Sequence, residues 1–271
     1  MCYYYRFRNN ISGGYSILYS IEIQNLNFSY NSKFNIEDLS LKIKKNEIFA
    51  LIGNNGSGKT TLLRLIVGLL KPNSGDIQIF GEKLTRKKEQ LWQLRQKIGF
   101  LFQNPDDQLF APTIEEDVGF GARNMKLPES KVNQRVEWAL KAVNLYDFRN
   151  ESPFNLSWGQ KKRACLAGLL VLQPKLLILD EPFANLDFRS ILDHLKILES
   201  LRKQNKMTIL FTTHNMFFVE HWADKMLVLS NGNKVFEGTP VEGLNLPEIK
   251  ELIGSYDQIE EFIKKSRKSE V

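Results

Sequence analysis

Apolar and polar residues alternate along Ile21-Glu22-Ile23-Gln24-Asn25-Leu26-Asn27-Phe28-Ser29-Tyr30, the period of a strand with one face in a core and one in water. Residues 39–43 repeat the alternation before Lys44-Lys45-Asn46-Glu47 turns the chain. Later runs have a different character. Ile48-Phe49-Ala50-Leu51-Ile52, Ile98-Gly99-Phe100-Leu101-Phe102, Leu176-Leu177-Ile178-Leu179, Met207-Thr208-Ile209-Leu210-Phe211-Thr212 and Lys225-Met226-Leu227-Val228-Leu229 are apolar almost throughout. Such runs predict strands buried on both faces, which is the habit of parallel sheets covered by helices. A short strand at residues 75–81 ends on Gly81. Helices are predicted over residues 61–70 (stopped by Pro72), over the basic stretch 84–97, and over 113–145 with a break at Pro128-Glu129-Ser130. In residues 247–265, Ile249, Leu252, Ile253, Tyr256, Ile259, Phe262 and Ile263 form one apolar helical stripe, fitted equally to the chain's own domain or to a second subunit. The predicted fold class is α/β, with a parallel core sheet beside an antiparallel β flap.

Composition changes this picture little. The chain has 271 residues, 42% hydrophobic and 25% charged, which suits one large soluble domain or two small ones. No apolar run is long enough to cross a bilayer, and the aromatic N-terminus lacks the apolar stretch of a signal peptide. Cys2 and Cys165 have no metal-site spacing; Cys165 lies among small and apolar residues and reads as core packing, which points to the cytosol. The net charge of +6 is spread out, densest at Arg86-Lys87-Lys88 and Lys264-Lys265-Ser266-Arg267-Lys268. With no aromatic-plus-basic motif beside it, that charge fits solvated helix faces, and no nucleic-acid partner is expected.

The chemistry begins at Gly53-Asn54-Asn55-Gly56-Ser57-Gly58-Lys59-Thr60, which fits G-x-x-x-x-G-K-[ST] between a predicted strand and a predicted helix. In that context the motif is a P-loop, and it implies binding of a nucleoside triphosphate. Glycines let backbone N–H groups close on phosphates, Lys59 would reach the β- and γ-phosphates, and the Thr60 hydroxyl would bind Mg²⁺. Two acids, Asp180 and Glu181, end the apolar strand at 176–179. An aspartate there can hold the Mg²⁺ shell, and a glutamate can take a proton from the attacking water.

Leu156-Ser157-Trp158-Gly159-Gln160, followed by Lys161-Lys162-Arg163 and an apolar helix, resembles the signature motif of ATP-binding-cassette (ABC) ATPases, commonly Leu-Ser-Gly-Gly-Gln. The family's other parts occur in order over residues 21–238: Tyr30 as adenine-stacking aromatic, the P-loop with Thr61 behind it, Gln103, the signature, Asp180-Glu181, Asn185-Leu186-Asp187 as the D-loop, and His214. The resemblance implies ATP with Mg²⁺ held by Thr60, Gln103 and Asp180, catalysis by Glu181, His214 and Gln103, and two subunits packed head to tail. Ser157, Gly159 and Gln160 would then serve the partner's nucleotide. Trp158 departs from the pattern, since the family usually has glycine there. The intact Ser157, Gly159 and Gln160 favour a tolerated ring lying against apolar neighbours, leaving the Ser157 and Gly159 N–H groups free.

Gln103-Asn104-Pro105-Asp106-Asp107-Gln108-Leu109-Phe110, continuing to Gly121, resembles the ATPases of energy-coupling-factor importers, which take up cobalt, nickel or vitamins. In those, an acidic short helix after the glutamine meets arginines of a transmembrane T component; Asp106, Asp107 and Gln108 match it, although Asn-Pro-Asp-Asp is also strong turn chemistry. The resemblance implies a peripheral subunit at the cytoplasmic face of the membrane. Its partners would be a second ABC ATPase, identical or distinct, a T component and a substrate-binding membrane component. The expected boundaries are an N-terminal extension over 1–20, the nucleotide-binding domain over 21–240 with a helical subdomain near 104–172, and a C-terminal helical extension over 241–271. Other functions are the ATPase of another ABC transporter class, or an ABC protein acting on ribosomes or DNA. The acidic turn argues against the first, and the single cassette without a long heptad run against the second.

Overall fold

A computed structural model of the chain describes residues 18–254 except 32, 33 and 86. β1 (Tyr19–Asn31) and β2 (Phe34–Lys44) pair antiparallel, with Ile21 opposite Ile43 and Leu26 opposite Leu39. β3 (Ile48–Ile52) leaves this pair for a second sheet and runs through the glycine loop into α1 (Lys59–Ile66). β4 (Ser74–Ile79) returns to β1, antiparallel, and β5 (Glu82–Lys83) completes a sheet of order β2-β1-β4-β5. α2 (Lys88–Arg95) leads to β6 (Ile98–Leu101), after which α3 (Ile114–Asn124), α4 (Glu129–Ala142) and α5 (Trp158–Leu170) pack together as a helical unit. The chain then alternates: β7 (Leu176–Leu179), α6 (Phe188–Asn205), β8 (Thr208–Thr212), α7 (Met216–Trp222), β9 (Lys225–Ser230), β10 (Asn233–Gly238), α8 (Pro240–Leu244) and α9 (Pro247–Ile253).

The second sheet has the order β10-β9-β3-β8-β7-β6, parallel except at the β10 edge. It explains the unbroken apolar runs. Along β3, Ile48, Ala50 and Ile52 enter one core while Phe49 and Leu51 enter another on the opposite face. β7 divides the same way, Leu177 and Leu179 to the first core and Leu176 and Ile178 to the second. Each strand therefore needs apolar side chains at both parities. Because the strands run parallel, their carboxyl ends, and the loops after β3, β6, β7 and β8, lie along one edge of the sheet.

Several expectations need correction. The helix after the P-loop stops at Ile66, not near Leu70, because Gly68 turns into the left-handed region (φ 69°). Arg95 then covers its open end, donating to the carbonyls of Val67 (3.2 Å) and Gly68 (3.0 Å). The strand expected at 39–43 starts earlier, at Phe34, and the basic stretch is helical only from Lys88 to Arg95. The antiparallel β10 was not expected, since Asn233–Gly238 carries no buried residue to make a pattern. In the C-terminal stripe, Ile249 is buried and Leu252 and Ile253 pack partly buried on the domain's own core. Tyr256, Ile259, Phe262 and Ile263, the N-terminal residues 1–17 and Cys2 among them lie outside the described residues. Among the described residues no helix is long and apolar enough to cross a membrane.

Candidate active site

A cleft of about 320 Å³ opens at the carboxyl edge of the parallel strands. Asn55, Gly56, Ser57, Gly58, Lys59, Thr60 and Thr61 form one wall; Gln103, Asp180, Glu181 and His214 face them, and Tyr30 and Phe34 stand at the mouth. The loop's shape follows from two glycines. A Cβ on Gly53 would run into the Leu229 carbonyl, and Gly58, at φ 107°, holds the left-handed turn that starts α1. No side chain caps that helix, so its first N–H groups stay available to an anion. Gly53 and Asn54 lie behind the cleft wall, where their carbonyls accept from Lys59 Nζ at 2.7 and 3.1 Å. The ammonium is thus folded onto its own loop, and burial lowers its pKa.

The opposite wall is a single hydrogen-bonded unit. Thr60 donates to Asp180 Oδ2 (3.0 Å), and Thr212 Oγ1 donates to Asp180 Oδ1 (2.7 Å) while accepting the Glu181 N–H (2.8 Å). Glu181 is buried with its backbone in the left-handed region at φ 48°, a conformation that costs a non-glycine residue on the order of 1 kcal/mol or more. Its carbonyl accepts from Lys162 Nζ at 2.6 Å. His214, exposed at the rim, brings Nε2 to 3.1 Å from Glu181 Oε1 but not in hydrogen-bonding alignment, so that oxygen has no hydrogen-bond partner. Burial raises the Glu181 pKa, and burial, with Lys59 nearby, lowers that of His214. Glu181 is thereby tuned toward holding a proton, and His214 toward being neutral.

Ser57 Oγ, also in the cleft, is likewise buried without a partner, so two polar atoms there are left for a polar ligand. Tyr30 is half exposed, braced edge-on by Phe28 at 4.8 Å and tilted against Phe34 at 6.3 Å, which leaves ring surface for a base. Among the described residues no group of three His, Cys, Asp or Glu side chains forms a metal site. Thr60 and Asp180, already joined, with the exposed Gln103, fit Mg²⁺, whose remaining positions suit phosphate oxygens and water.

The predicted signature does not line this cleft. Ser157 caps α5 and forms a box with Gln160: the Gln160 N–H donates to Ser157 Oγ (3.3 Å) and the Ser157 N–H donates to Gln160 Oε1 (2.8 Å). The Ser157 N–H, expected to be free, is therefore taken. Trp158 is half-buried, and its Nε1–H is buried without an acceptor. Gly159 permits a close approach, since a Cβ would press on Ser190 Oγ at 2.7 Å. Asp187 caps α6 by accepting the Ser190 N–H (2.7 Å), which lowers its pKa. Behind this seam, His194 is buried with its pKa pushed down to about 4; Nδ1 lies 3.0 Å from the Ser190 carbonyl and so carries the proton.

The acidic segment forms a short 3₁₀ turn, Pro105–Asp107, with Asn104 accepting the Asp106 N–H. Asp106 pairs with Lys161 at 2.7 Å, and Gln108 Oε1 accepts the Phe102 N–H (3.1 Å), so both are engaged within the chain. Asp107 is exposed and borders a second groove of about 520 Å³ floored by Leu69, Leu70, Phe100 and Phe102. The cleft also depends on two residues that sequence reasoning passed over. Thr212 was read only as strand. Lys162 was taken as one of a basic run, although it lies three and four residues before Cys165 and Leu166 on the buried face of α5. Fully buried, its ammonium has its pKa pushed down to about 8, a penalty of about 3 kcal/mol against the charge.

Comparison with known proteins gives a consistent result. A family model described as ABC transporter matches residues 36–184. The energy-coupling factor transporter ATP-binding protein EcfA of Methanocaldococcus jannaschii is 41% identical over 248 residues, 87% of this chain and 88% of the relative. The EcfA of Methanothermobacter thermautotrophicus is 39% identical over 82% of this chain and 71% of its own length. Among solved structures, cbiO1 from Clostridium perfringens, part of the ABC transporter complex cbiONQ, superposes with a TM-score of 0.77 at 36% identity, covering 87% of this chain and 99% of that one. A dimeric ATP-binding cassette in a post-hydrolysis state with ADP and Pi gives 0.72 at 25% identity, covering 81% and 98%.

Proposed function

The chain belongs to the ABC transporter family of ATP-binding proteins, and from that premise we propose that it hydrolyses ATP to power an energy-coupling-factor importer of a metal ion or vitamin. The observation that carries the hydrolytic reading is the cleft itself: a P-loop lysine, a Thr60–Asp180 pair, and a buried glutamate with one oxygen unpartnered, all on one sheet edge. Lys59 leaves the Gly53 and Asn54 carbonyls for the β- and γ-phosphates, and the N-terminus of α1 receives phosphate oxygens. Tyr30 stacks on the adenine. Mg²⁺, held by Thr60, Asp180 and Gln103, neutralises charge on the phosphate oxygens when bound. Water attacks the γ-phosphorus, the bond to the bridging oxygen breaks, and Glu181 accepts the water's proton. His214 beside Glu181 Oε1 and Gln103 at the rim orient that water.

Ser157, Gly159 and Gln160 lie away from the cleft, which supports a head-to-tail pair in which they serve the nucleotide of a second ABC ATPase, with Asp187 at the contact. The groove bordered by Asp107 supports docking of a T component, its apolar floor receiving a helix and its acid meeting a basic side chain. A substrate-binding membrane component completes the complex at the cytoplasmic face of the membrane. The relatives named as energy-coupling factor ATP-binding proteins support this class of partner. Affinity purification of the tagged protein from membranes tests the reading: small integral membrane proteins should co-purify in stoichiometric amounts, and recovery with ribosomes or DNA instead contradicts it.

A further inference from the structure

Lys162 is one of the largest fully buried side chains, yet it is an ammonium. Burial of an unpaired charge is costly, so its surroundings must use it. Among the described residues its one hydrogen bond runs from α5 to the carbonyl of Glu181, at 2.6 Å. The same residue's N–H is held by Thr212 Oγ1 at 2.8 Å, from β8. Glu181 is therefore gripped at both backbone ends, from two different elements, while its φ of 48° departs from the ordinary regions. Its neighbour Asp180, one residue past β7, is tied through its side chain. The Ala184 N–H also donates to that carbonyl, at 3.2 Å, but from the same turn, so Lys162 is the side chain that anchors the turn to α5. Losing it would let Glu181 move toward an unstrained backbone and carry its carboxylate away from the cleft.

We propose that Lys162 is a positioning residue for hydrolysis: by binding the Glu181 carbonyl it holds the left-handed backbone that aims the carboxylate into the cleft. The inference rests on the hydrolytic reading given above, with Glu181 as base. Because Lys162 stands five residues after Ser157 on α5, it also ties the helix that starts at the signature to this subunit's own base. A small rotation of α5, of the kind caused by engaging a partner's nucleotide at its N-terminus, would reach Glu181 through a single hydrogen bond. The charged and titratable groups facing the ammonium are Glu181 and Asp180 from the end of β7, Cys165 on α5 itself, and His194 on α6. Burial outweighs the two carboxylates and lowers its pKa to about 8, so its charge is lost within an accessible pH range.

The test is steady-state ATP hydrolysis by the full-length protein with its membrane partners, comparing wild type with Lys162→Met, Lys162→Gln and Lys162→Arg. For Lys162→Met the expected result is a fall in kcat of about tenfold to a hundredfold, with ATP affinity and KM changed less than about threefold, as for loss of an interaction that orients a base rather than binds substrate. Lys162→Arg, and in part Lys162→Gln, should restore kcat because each keeps a donor. A deprotonated Lys162 still donates, through a weaker neutral N–H, so the wild-type rate should decline only partly above pH about 8, by less than the Lys162→Met loss. The Lys162→Arg rate should not decline, since arginine stays charged. Should Lys162→Met unfold, Lys162→Gln against Lys162→Arg carries the comparison alone. Wild-type kcat in Lys162→Met, or equal losses in kcat and ATP affinity for the donor-keeping variants, overturns the proposal. A wild-type complex that binds ATP without hydrolysing it removes the hydrolytic reading first, and this one with it.

Discussion

The P-loop half of the molecule and the signature half are built on different terms. In the cleft, one chain supplies every part: loop, paired hydroxyl and carboxylate, and buried base come from the ends of β3, β7 and β8 and are joined by hydrogen bonds of 2.7–3.0 Å, with the rim histidine beside them. At the signature, Ser157 and Gln160 satisfy one another, Gly159 lets α5 crowd α6, and none of the three lines the P-loop cleft. A self-contained half-site beside an incomplete one is what a head-to-tail assembly requires. On the proposed assembly, the first would hold nucleotide before association, and the second would acquire a ligand only when another subunit brings one.

The comparison breaks most visibly at the base. Glu181→Gln should leave ATP binding within a few-fold and lower turnover by about a hundredfold to ten-thousandfold, whereas Lys59→Ala should weaken binding itself. Turnover of Glu181→Gln near wild type, with ATP binding measured on the same sample, would remove Glu181 from the role.

The seam behind the signature gives the next largest effect, and it is one of stability. Burial holds His194 near pKa 4 against an ordinary 6.5, so the unfolded chain binds its proton first as pH falls. Stability should therefore decrease between pH 6.5 and 4, by a total of about 3 kcal/mol from this group. Denaturant unfolding of wild type and His194→Phe across that range should show the variant with the shallower pH dependence. Parallel curves would mean that His194 is not the group titrating.

A smaller and more selective loss is expected at the acidic turn. Because Asp106 is engaged by Lys161, Asp107→Asn should weaken assembly with the membrane partner more than Asp106→Asn does, by a few-fold, with nucleotide binding untouched in both. The difference from wild type should be largest at low ionic strength and shrink as salt screens the charge. Equal assembly of both variants and wild type at low salt would leave the turn a purely local structure.

The smallest change is at Trp158. Its buried Nε1–H finds no protein acceptor, so Trp158→Phe should keep turnover close to wild type and raise stability by up to about 1 kcal/mol. Trp158→Gly should also leave turnover nearly unchanged, at some cost in packing. A large rise in rate for either variant would identify the ring as a brake on the site that it shares.

What was legible in the sequence was what is local. The glycine loop between strand and helix, the acids after β7 and His214 after β8 are each carried by a few consecutive residues, and parallel strands bring their ends to one edge. The two-sided burial of β3 and β7 was visible as unbroken apolar runs. Contacts that join distant segments were not visible. Nothing adjacent to Lys162 announces that it meets Glu181, and the Lys161-Lys162-Arg163 run reads as a solvated face until spacing to Cys165 and Leu166 is considered. The bridge between Asp106 and Lys161, 55 residues apart, and the capping of α1 by Arg95 were hidden for the same reason. β10 escaped because an exposed edge strand needs no apolar pattern.

In a head-to-tail pair, the P-loop and the signature of one chain would serve different nucleotides. Amide hydrogen exchange on Glu181→Gln with Mg²⁺ and ATP tests it, because that variant should retain nucleotide with little turnover. At protein concentrations where the chain is monomeric, residues 53–60 should gain protection and residues 157–160 should not. Protection of 157–160 should appear only when a second ABC ATPase subunit, a copy or a distinct one, joins the ATP-bound protein. Protection of the signature together with the P-loop in the monomer, or its absence in the ATP-bound pair, would contradict the account.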